Sequence, residues 1–410
     1  MPTGLYKEVY MKKNFGILLA LWCIFAPVFA AGDNSMKEDV RLENFFAKIR
    51  RGEEVTVVAL GGSITTGFAS KNPAADGWAG LTGSWVKKLG SENNARVNYY
   101  NRGVSGTDSA FAVARYDSHI AALKPDLLLL EFAMNDQWLD AKVRRRTYEA
   151  IVRRTLSDSD CAILVLFVNE RKSPYPSNQA EQQKICEYYG IPFVSWKDSV
   201  SKSGSLSDFE KYFDGEETIH PNNAGHAKIA ELMCDKLDSV WKALPADSKI
   251  PAVEKKLPSP LTDSGFEHVK YYGSDNLKPV SAGDWKSGSP VHSEWQSHGN
   301  SVKGWQCNEG SSEITFEVEG SSVGITYCES DQFRDAQAWV TKADGSSSPK
   351  VNLNCFVSYR KGYYGWAYKQ LVDGDKVEKY TVHVVVSKRV ARGSEAKFCN
   401  ITGILVGGEK

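Results

Sequence analysis

Between residues 39 and 244 the chain alternates short, mostly apolar runs with longer amphipathic stretches, and this alternation restricts the possible folds more than any other feature. The runs are Val55–Leu60, Val97–Tyr100, Leu127–Phe132, Ala162–Val168 and Phe193–Trp196. They are apolar throughout rather than at every second position, as strands buried on both faces are. Apolar residues recur at helical spacing in Val40–Arg51, Trp78–Leu89, Ala110–Leu123, Arg145–Leu156, Ala180–Tyr189 and Ala224–Leu244. Gly52 and Gly190 stand where C-terminal caps belong. Strand and helix in turn predict a parallel sheet covered on both faces, with right-handed crossovers. Ligands of such sheets bind beyond the carboxyl ends of the strands, so the chemistry is expected just after the runs.

The segment 243–264 breaks the pattern. It carries Pro245, Pro251, Pro258 and Pro260 among Lys, Asp and Ser, and reads as a linker. Beyond it the apolar period becomes two, in Glu313–Glu319, Val323–Cys328, Ala336–Lys342, Tyr380–Val386 and Phe398–Val406, with turn signals at Asp344-Gly345 and Asp373-Gly374. This predicts an all-β sandwich or jelly roll. A chain of 410 residues is too long for one ordinary core. The expected division is a parallel-sheet domain over 36–244, a linker over 245–262 and an independently folding β domain over 263–410.

Residues 1–31 read as an export signal with Met11 as its start. Lys12 and Lys13 precede an apolar run from Gly16 to Phe25, and Val28-Phe29-Ala30 supplies a small-x-small cleavage pattern. A membrane span needs about 20 apolar residues, more than this run offers, so a secreted or periplasmic protein without an anchor is expected. Cys23 follows Trp22 rather than the small residue that would precede a lipidated cysteine. Fifty basic residues balance fifty acidic ones, which leaves no electrostatic footprint for a nucleic-acid partner. In an oxidising compartment Cys307, Cys328, Cys355 and Cys399 could form two disulfides, whereas Cys161, Cys186 and Cys234 leave at least one thiol free. No CxxC or HExxH spacing occurs, so neither a metal nor a cofactor is expected.

The first run ends in Val-Val-Ala-Leu-Gly61-Gly62-Ser63-Ile64-Thr65. A serine placed after a buried strand and two glycines stands at the carboxyl edge of the sheet, where its hydroxyl can face a substrate. Taken alone, it reads first as a helix N-cap. Thr65 excludes the Gly-x-Ser-x-Gly elbow. The second run is followed by Asn101-Arg102-Gly103-Val104-Ser105-Gly106-Thr107-Asp108, and the third by Ala133-Met134-Asn135-Asp136. His220-Pro221-Asn222 precedes the last amphipathic stretch. All four segments can converge on one edge.

In order and context these segments resemble the four blocks of the SGNH/GDSL hydrolase superfamily, over roughly residues 54–242. The resemblance implies a flavodoxin-like three-layer α/β fold and a serine esterase. Ser63 would be the nucleophile and His220 its general base, and the oxyanion hole would combine the Ser63 N–H, the Gly106 N–H and the Asn135 side chain. These types suit acyl transfer, which needs neutral donors aimed at a developing oxyanion and a base near working pH. Two departures stand out. Gly62 replaces the family's Asp, and the acid three residues before the histidine is Glu217. Asp214 competes for that role if its loop doubles back, and a Ser-His dyad held by a backbone carbonyl is the third option.

His226 is expected to be structural. Trp78 and Trp138 are candidates to line an acyl or sugar pocket. In the β domain Trp285, Trp295, Trp305, Trp339, Trp366, Tyr363 and Tyr364 either pack a core or include a sugar-stacking surface. Export and an appended β domain make an O-acetyl ester on a carbohydrate the expected substrate. The same site would serve a lipase, lysophospholipase or thioesterase, and a glycan-binding protein without catalysis is the rival from another class.

Overall fold

In the computed structural model five strands form a wholly parallel sheet in the order β2-β1-β3-β4-β5. They are β1 (Val55–Gly61), β2 (Val97–Asn101), β3 (Leu127–Glu131), β4 (Ala162–Phe167) and β5 (Phe193–Ser195). The structure describes residues 40–171, 177–200, 206–245, 252–290, 303–307, 312–358, 365–387 and 398–408. The expected export signal, Cys23, Trp295, Tyr363 and Tyr364 lie outside these residues.

The helices of this half are α1 (Val40–Arg50), α2 (Ser63–Thr66), α3 (Pro73–Asp76), α4 (Trp78–Glu92), α5 (Ser109–Ala114), α6 (Tyr116–His119), α7 (Ala141–Asp158), α8 (Gln179–Tyr189), α9 (Trp196–Val200) and α10 (Asn223–Ala243). Successive strand residues face opposite sides. Val55, Val57 and Ala59 accordingly pack with Phe45, Phe46, Trp78, Ile229 and Met233 of α1, α4 and α10. Val58 and Leu60 pack with Phe111, Tyr148, Ile151 and Ile185 of α5, α7 and α8. The three-layer α/β expectation therefore holds. In this strand order the chain leaves β1 and β3 toward opposite sides, which opens a crevice at their carboxyl ends.

The second half is antiparallel. Its strands are β6 (Lys270–Tyr272), β7 (Lys286–Pro290), β8 (Lys303–Cys307), β9 (Glu313–Glu329), β10 (Ala336–Lys342), β11 (Val351–Leu353), β12 (Gly365–Val386) and β13 (Cys399–Gly407). They pair in the order β11-β10-β12-β9-β13-β8-β7, with β6 also on β13. Two sequence expectations are corrected here. Glu313–Glu319 and Val323–Cys328 are one strand, β9. Asp373-Gly374 is no hairpin turn but an irregularity inside β12, where the register to β9 shifts between Asp373 and Glu378. Gly345, at φ +84°, does make the expected turn. Trp285, Trp305 and Trp366 are buried. Trp339 lies stacked on His383 at an interplanar angle of 2°, with Lys350 over its ring. Cys307, Cys328, Cys355 and Cys399 are all buried, with the Cys355 and Cys399 sulfurs 3.9 Å apart.

The segment read as a linker is strapped to the parallel-sheet half where it is described. Glu149 of α7 accepts hydrogen bonds from the backbone N–H groups of Leu261 and Thr262 and from the Thr262 hydroxyl. Arg153 donates to the Pro258 carbonyl, and Tyr188 to that of Ser259. Past the strap, Phe266, Val269, Trp366, Tyr368 and Leu405 complete the core cluster that contains α5 and α7. The Trp366 ring meets Phe111 at 4.4 Å, edge to face. Arg146, almost fully buried, pairs with Asp263 and Asp373 and lies over Phe266. A cation removed from water this completely depends on both partners. The shared core is an argument against independent folding. Trp366→Ala is expected to cost about 3–5 kcal/mol and to lower one common calorimetric transition. Two transitions of which only one moved would show that the halves unfold separately.

Candidate active site

Ser63 is the second residue after β1 and opens α2, so its own N–H is not consumed by the helix. The turn is fixed by Thr66 N–H on the Gly62 carbonyl, Phe68 N–H on the Ser63 carbonyl and the Thr66 hydroxyl on the same carbonyl. The side chain is 8% exposed. Its Oγ lies 2.8 Å from His220 Nε2, a bond between residues 157 apart in the chain.

The loop that delivers His220 is held from both ends. Asn222 caps α10 by accepting from Gly225 N–H, and its amide donates to Asp214. Arg171, just past β4, donates to the carbonyls of Gly215 and Glu217 and pairs with Glu210. Inside this loop Glu217 Oε1 accepts from the backbone N–H groups of Thr218, Ile219 and His220. Its Oε2 is 3.3 Å from His220 Nδ1. This is ion-pair distance, although the N–H does not point along a good hydrogen bond. Burial pushes the Glu217 carboxyl up, but the Ile219 and His220 N–H groups and the imidazole outweigh it and hold it below its ordinary range. A carboxylate on Nδ1 favours the tautomer in which Nε2 accepts the serine proton. Asp214 is engaged by Asn222 instead.

Gly106 has φ +69°, a conformation few side chains adopt. Asn135 opens a 3₁₀ turn after β3, and a Cβ at Gly62 would come within 2.3 Å of its Oδ1. Gly62 therefore lets the Asn135 amide lie against the Ser63 turn, a physical reason for a glycine at this position. Behind these turns sit carboxyls that the sequence reading passed over. Asp136 is fully buried, accepting from Ser109 N–H at 2.8 Å and from the Gln182 amide at 2.8 Å. It thereby links the Asn135 turn to the Gly106 loop. Desolvation and the nearby Asp108 raise it well above the usual range. Desolvation also pushes Asp108 up to about 6 and Glu131 up to about 7.

Trp78, expected on a pocket wall, is wholly buried in the core. Its position at the start of an apolar helix explains the correction. Trp138 is 76% exposed and ends the turn that Asn135 begins. On the other side Phe68, 50% exposed, has its ring 4.5 Å from that of His220. His226 is buried, with Nε2 on the Phe68 carbonyl and Nδ1 on the Trp78 N–H. Burial lowers its pKa, consistent with a neutral ring in the structural role expected of it.

Residues 59–228 match the GDSL-like Lipase/Acylhydrolase family. A two-domain esterase (CEX) active on acetylated mannans is 23% identical, with a TM-score of 0.76 over 91% of this chain and 96% of its own. The same esterase co-crystallized with mannopentaose is likewise 23% identical, with a TM-score of 0.74 over 91% and 96%. At that identity the likeness is one of fold, and it extends through both halves. No curated protein matches the chain.

Two outcomes follow from this electrostatic arrangement. Glu217→Gln is expected to lower kcat/KM for ester hydrolysis about 10²- to 10⁴-fold, and Asp214→Asn less than about tenfold. The reverse order would move the acid to Asp214. The second outcome concerns pH. Carboxyls whose folded pKa is raised hold the folded state best below their unfolded values, and that stability is lost as pH rises through the folded pKa. For Glu131, moved from 4.5 to about 7, the loss is on the order of 3 kcal/mol. Asp108 and Asp136 act in the same direction, and Glu217, lowered, acts in the opposite one. The melting temperature should therefore fall between about pH 4.5 and 7.5, and a steady rise would contradict these neutral buried acids.

Proposed function

From a chain whose parallel-sheet half is a GDSL-like acylhydrolase domain, we propose a serine esterase that removes a small acyl group, by preference acetyl, from a carbohydrate. The observation that carries this reading is the 2.8 Å contact of Ser63 Oγ with His220 Nε2, made at the strand edge beside Gly106 and Asn135. In the reaction His220 takes the Ser63 proton as Oγ attacks the ester carbonyl, and the N–H groups of Ser63 and Gly106 and the Asn135 amide receive the oxyanion. Each such donor is worth about 2.7–4 kcal/mol of barrier. The imidazolium, stabilised by Glu217, returns the proton to the departing sugar hydroxyl. Water then repeats the sequence on the acyl-enzyme.

Two features favour a sugar as the alcohol. Phe68 and Trp138 expose aromatic rings on the His220 and Asn135 sides of Ser63, and such faces suit the apolar side of a pyranose. The fold that the chain shares over both halves is that of an esterase active on acetylated mannans. An expected leader places the enzyme outside the cytoplasm, and no described helix is long and apolar enough to cross a membrane. The test is Ser63→Ala measured on nitrophenyl acetate, butyrate and octanoate and by acetate release from acetylated mannan and xylan. Turnover should drop by several orders of magnitude with an unchanged melting temperature. The wild type should prefer acetate and release it from a glycan. Wild-type-like turnover in the alanine variant, or a preference for octanoate, would overturn the reading.

A further inference from the structure

Glu131 is the last residue of β3 and stands opposite Gly61 in the β1–β3 register. Its side chain is completely buried, yet it is not part of the chemistry described above. Oε2 accepts from the hydroxyl of Thr65, two residues past Ser63, at 3.3 Å. The backbone N–H groups of Gly62 and Met134 act on the same carboxyl. Gly62 immediately precedes Ser63, and Met134 immediately precedes Asn135. Oε1 has no partner in good hydrogen-bond geometry.

A buried carboxyl that is only partly satisfied costs several kcal/mol relative to an apolar side chain of its size, so it needs a reason to be there. We propose that Glu131 is a positioning residue of the esterase, a single carboxyl that braces the turn carrying Ser63 against the turn carrying Asn135. The proposal rests on the serine-esterase reading above. The oxyanion hole is built across these two turns, which belong to different strands and touch where the Asn135 amide lies on Gly62. A displacement of about 1 Å between them is enough to cost about 100-fold in rate. A leucine could fill the space but could not accept from both turns at once.

Protonation changes the strength of the brace. Burial pushes Glu131 up to about 7, against the donors Thr65, Met134 and Gly62. Above that pH the carboxylate accepts strongly from both turns, and below it the neutral acid accepts weakly. The ionisable group that interacts with it is Tyr148 of α7, raised by burial and therefore neutral, and Asp136 acts on that same tyrosine. These remain in any Glu131 variant, so the comparison isolates Glu131. The acid limb of kcat/KM should be steeper in the wild type than in Glu131→Gln.

The experiment compares wild type, Glu131→Gln and Ser63→Ala on nitrophenyl acetate from pH 5 to 9. Glu131→Gln should fold and keep KM within threefold, lower kcat about 10- to 100-fold, and reduce the acid limb to one proton. A folded Glu131→Gln with kcat within twofold of wild type and an unchanged limb overturns the proposal. If Glu131→Gln gives no cooperative melt, Thr65→Val decides, because it removes the side-chain donor and leaves the acid. It should lower kcat about 3- to 10-fold at constant KM, with recovery in Thr65→Ser, and full activity in Thr65→Val overturns the proposal. Turnover in Ser63→Ala would instead overturn the esterase reading, so the two failures are distinguishable.

Discussion

Burying a parallel sheet on both faces obliges each connection to cross over through a helix, and every candidate catalytic group is placed by that constraint. The order β2-β1-β3-β4-β5 puts the switch in crossover direction between β1 and β3. Ser63 follows β1 and Asn135 follows β3, so the two candidate groups stand on either side of the crevice that the topology leaves open. Gly106 enters from the loop after β2, next to β1. His220 is the only member that arrives from far along the chain. Its reach is secured by the cap of α10 and by Arg171, which anchors the loop to the exit of β4.

The carboxyls around this crevice divide by what surrounds them. Glu217 is a third exposed and accepts three backbone N–H bonds, so its donors outweigh its burial and it remains an anion suited to an imidazolium. Glu131 and Asp136 have no exposure, and for them burial wins over a similar number of donors. Environments that drive carboxyls apart in this way are what separate roles in one site. Glu217 lies beside the histidine, whereas Glu131 accepts from the Thr65 hydroxyl and Asp136 from the Ser109 N–H and the Gln182 amide.

The groups that carry the proposed chemistry were legible in the sequence, because Ser63, Gly106, Asn135 and His220 each lie in a short segment directly after a strand or before a helix. The expectation for Glu217 came from spacing, and in the structure its Oε2 lies 3.3 Å from His220 Nδ1 while Asp214 accepts from Asn222. The supporting groups were not legible. Glu131 reads as the polar end of an apolar strand, and Asp136 as the residue after a motif. Their importance depends on what lies across the sheet, which no local pattern records. Trp78 was misread for the complementary reason: a tryptophan near a motif says nothing about which face of its helix it occupies. The long strand β9 was read as two runs and Asp373-Gly374 as a turn, although in the sheet the register between β9 and β12 shifts over this stretch.

The docking of the proline-rich segment has a physical reason of its own. Prolines lack an N–H but keep a carbonyl, and their fixed φ means that little backbone entropy is lost when they dock. A stretch that composition describes as a tether can therefore lie down as a strap once side chains such as Arg153, Tyr188 and Glu149 offer it donors and acceptors. The strap brings the β half onto α5, where Trp366 closes on Phe111. Helix α5 begins three residues after Gly106, and its first N–H bonds Asp136, the neighbour of Asn135. The second half of the chain thus bears on the helix whose first N–H is bonded to the residue after Asn135.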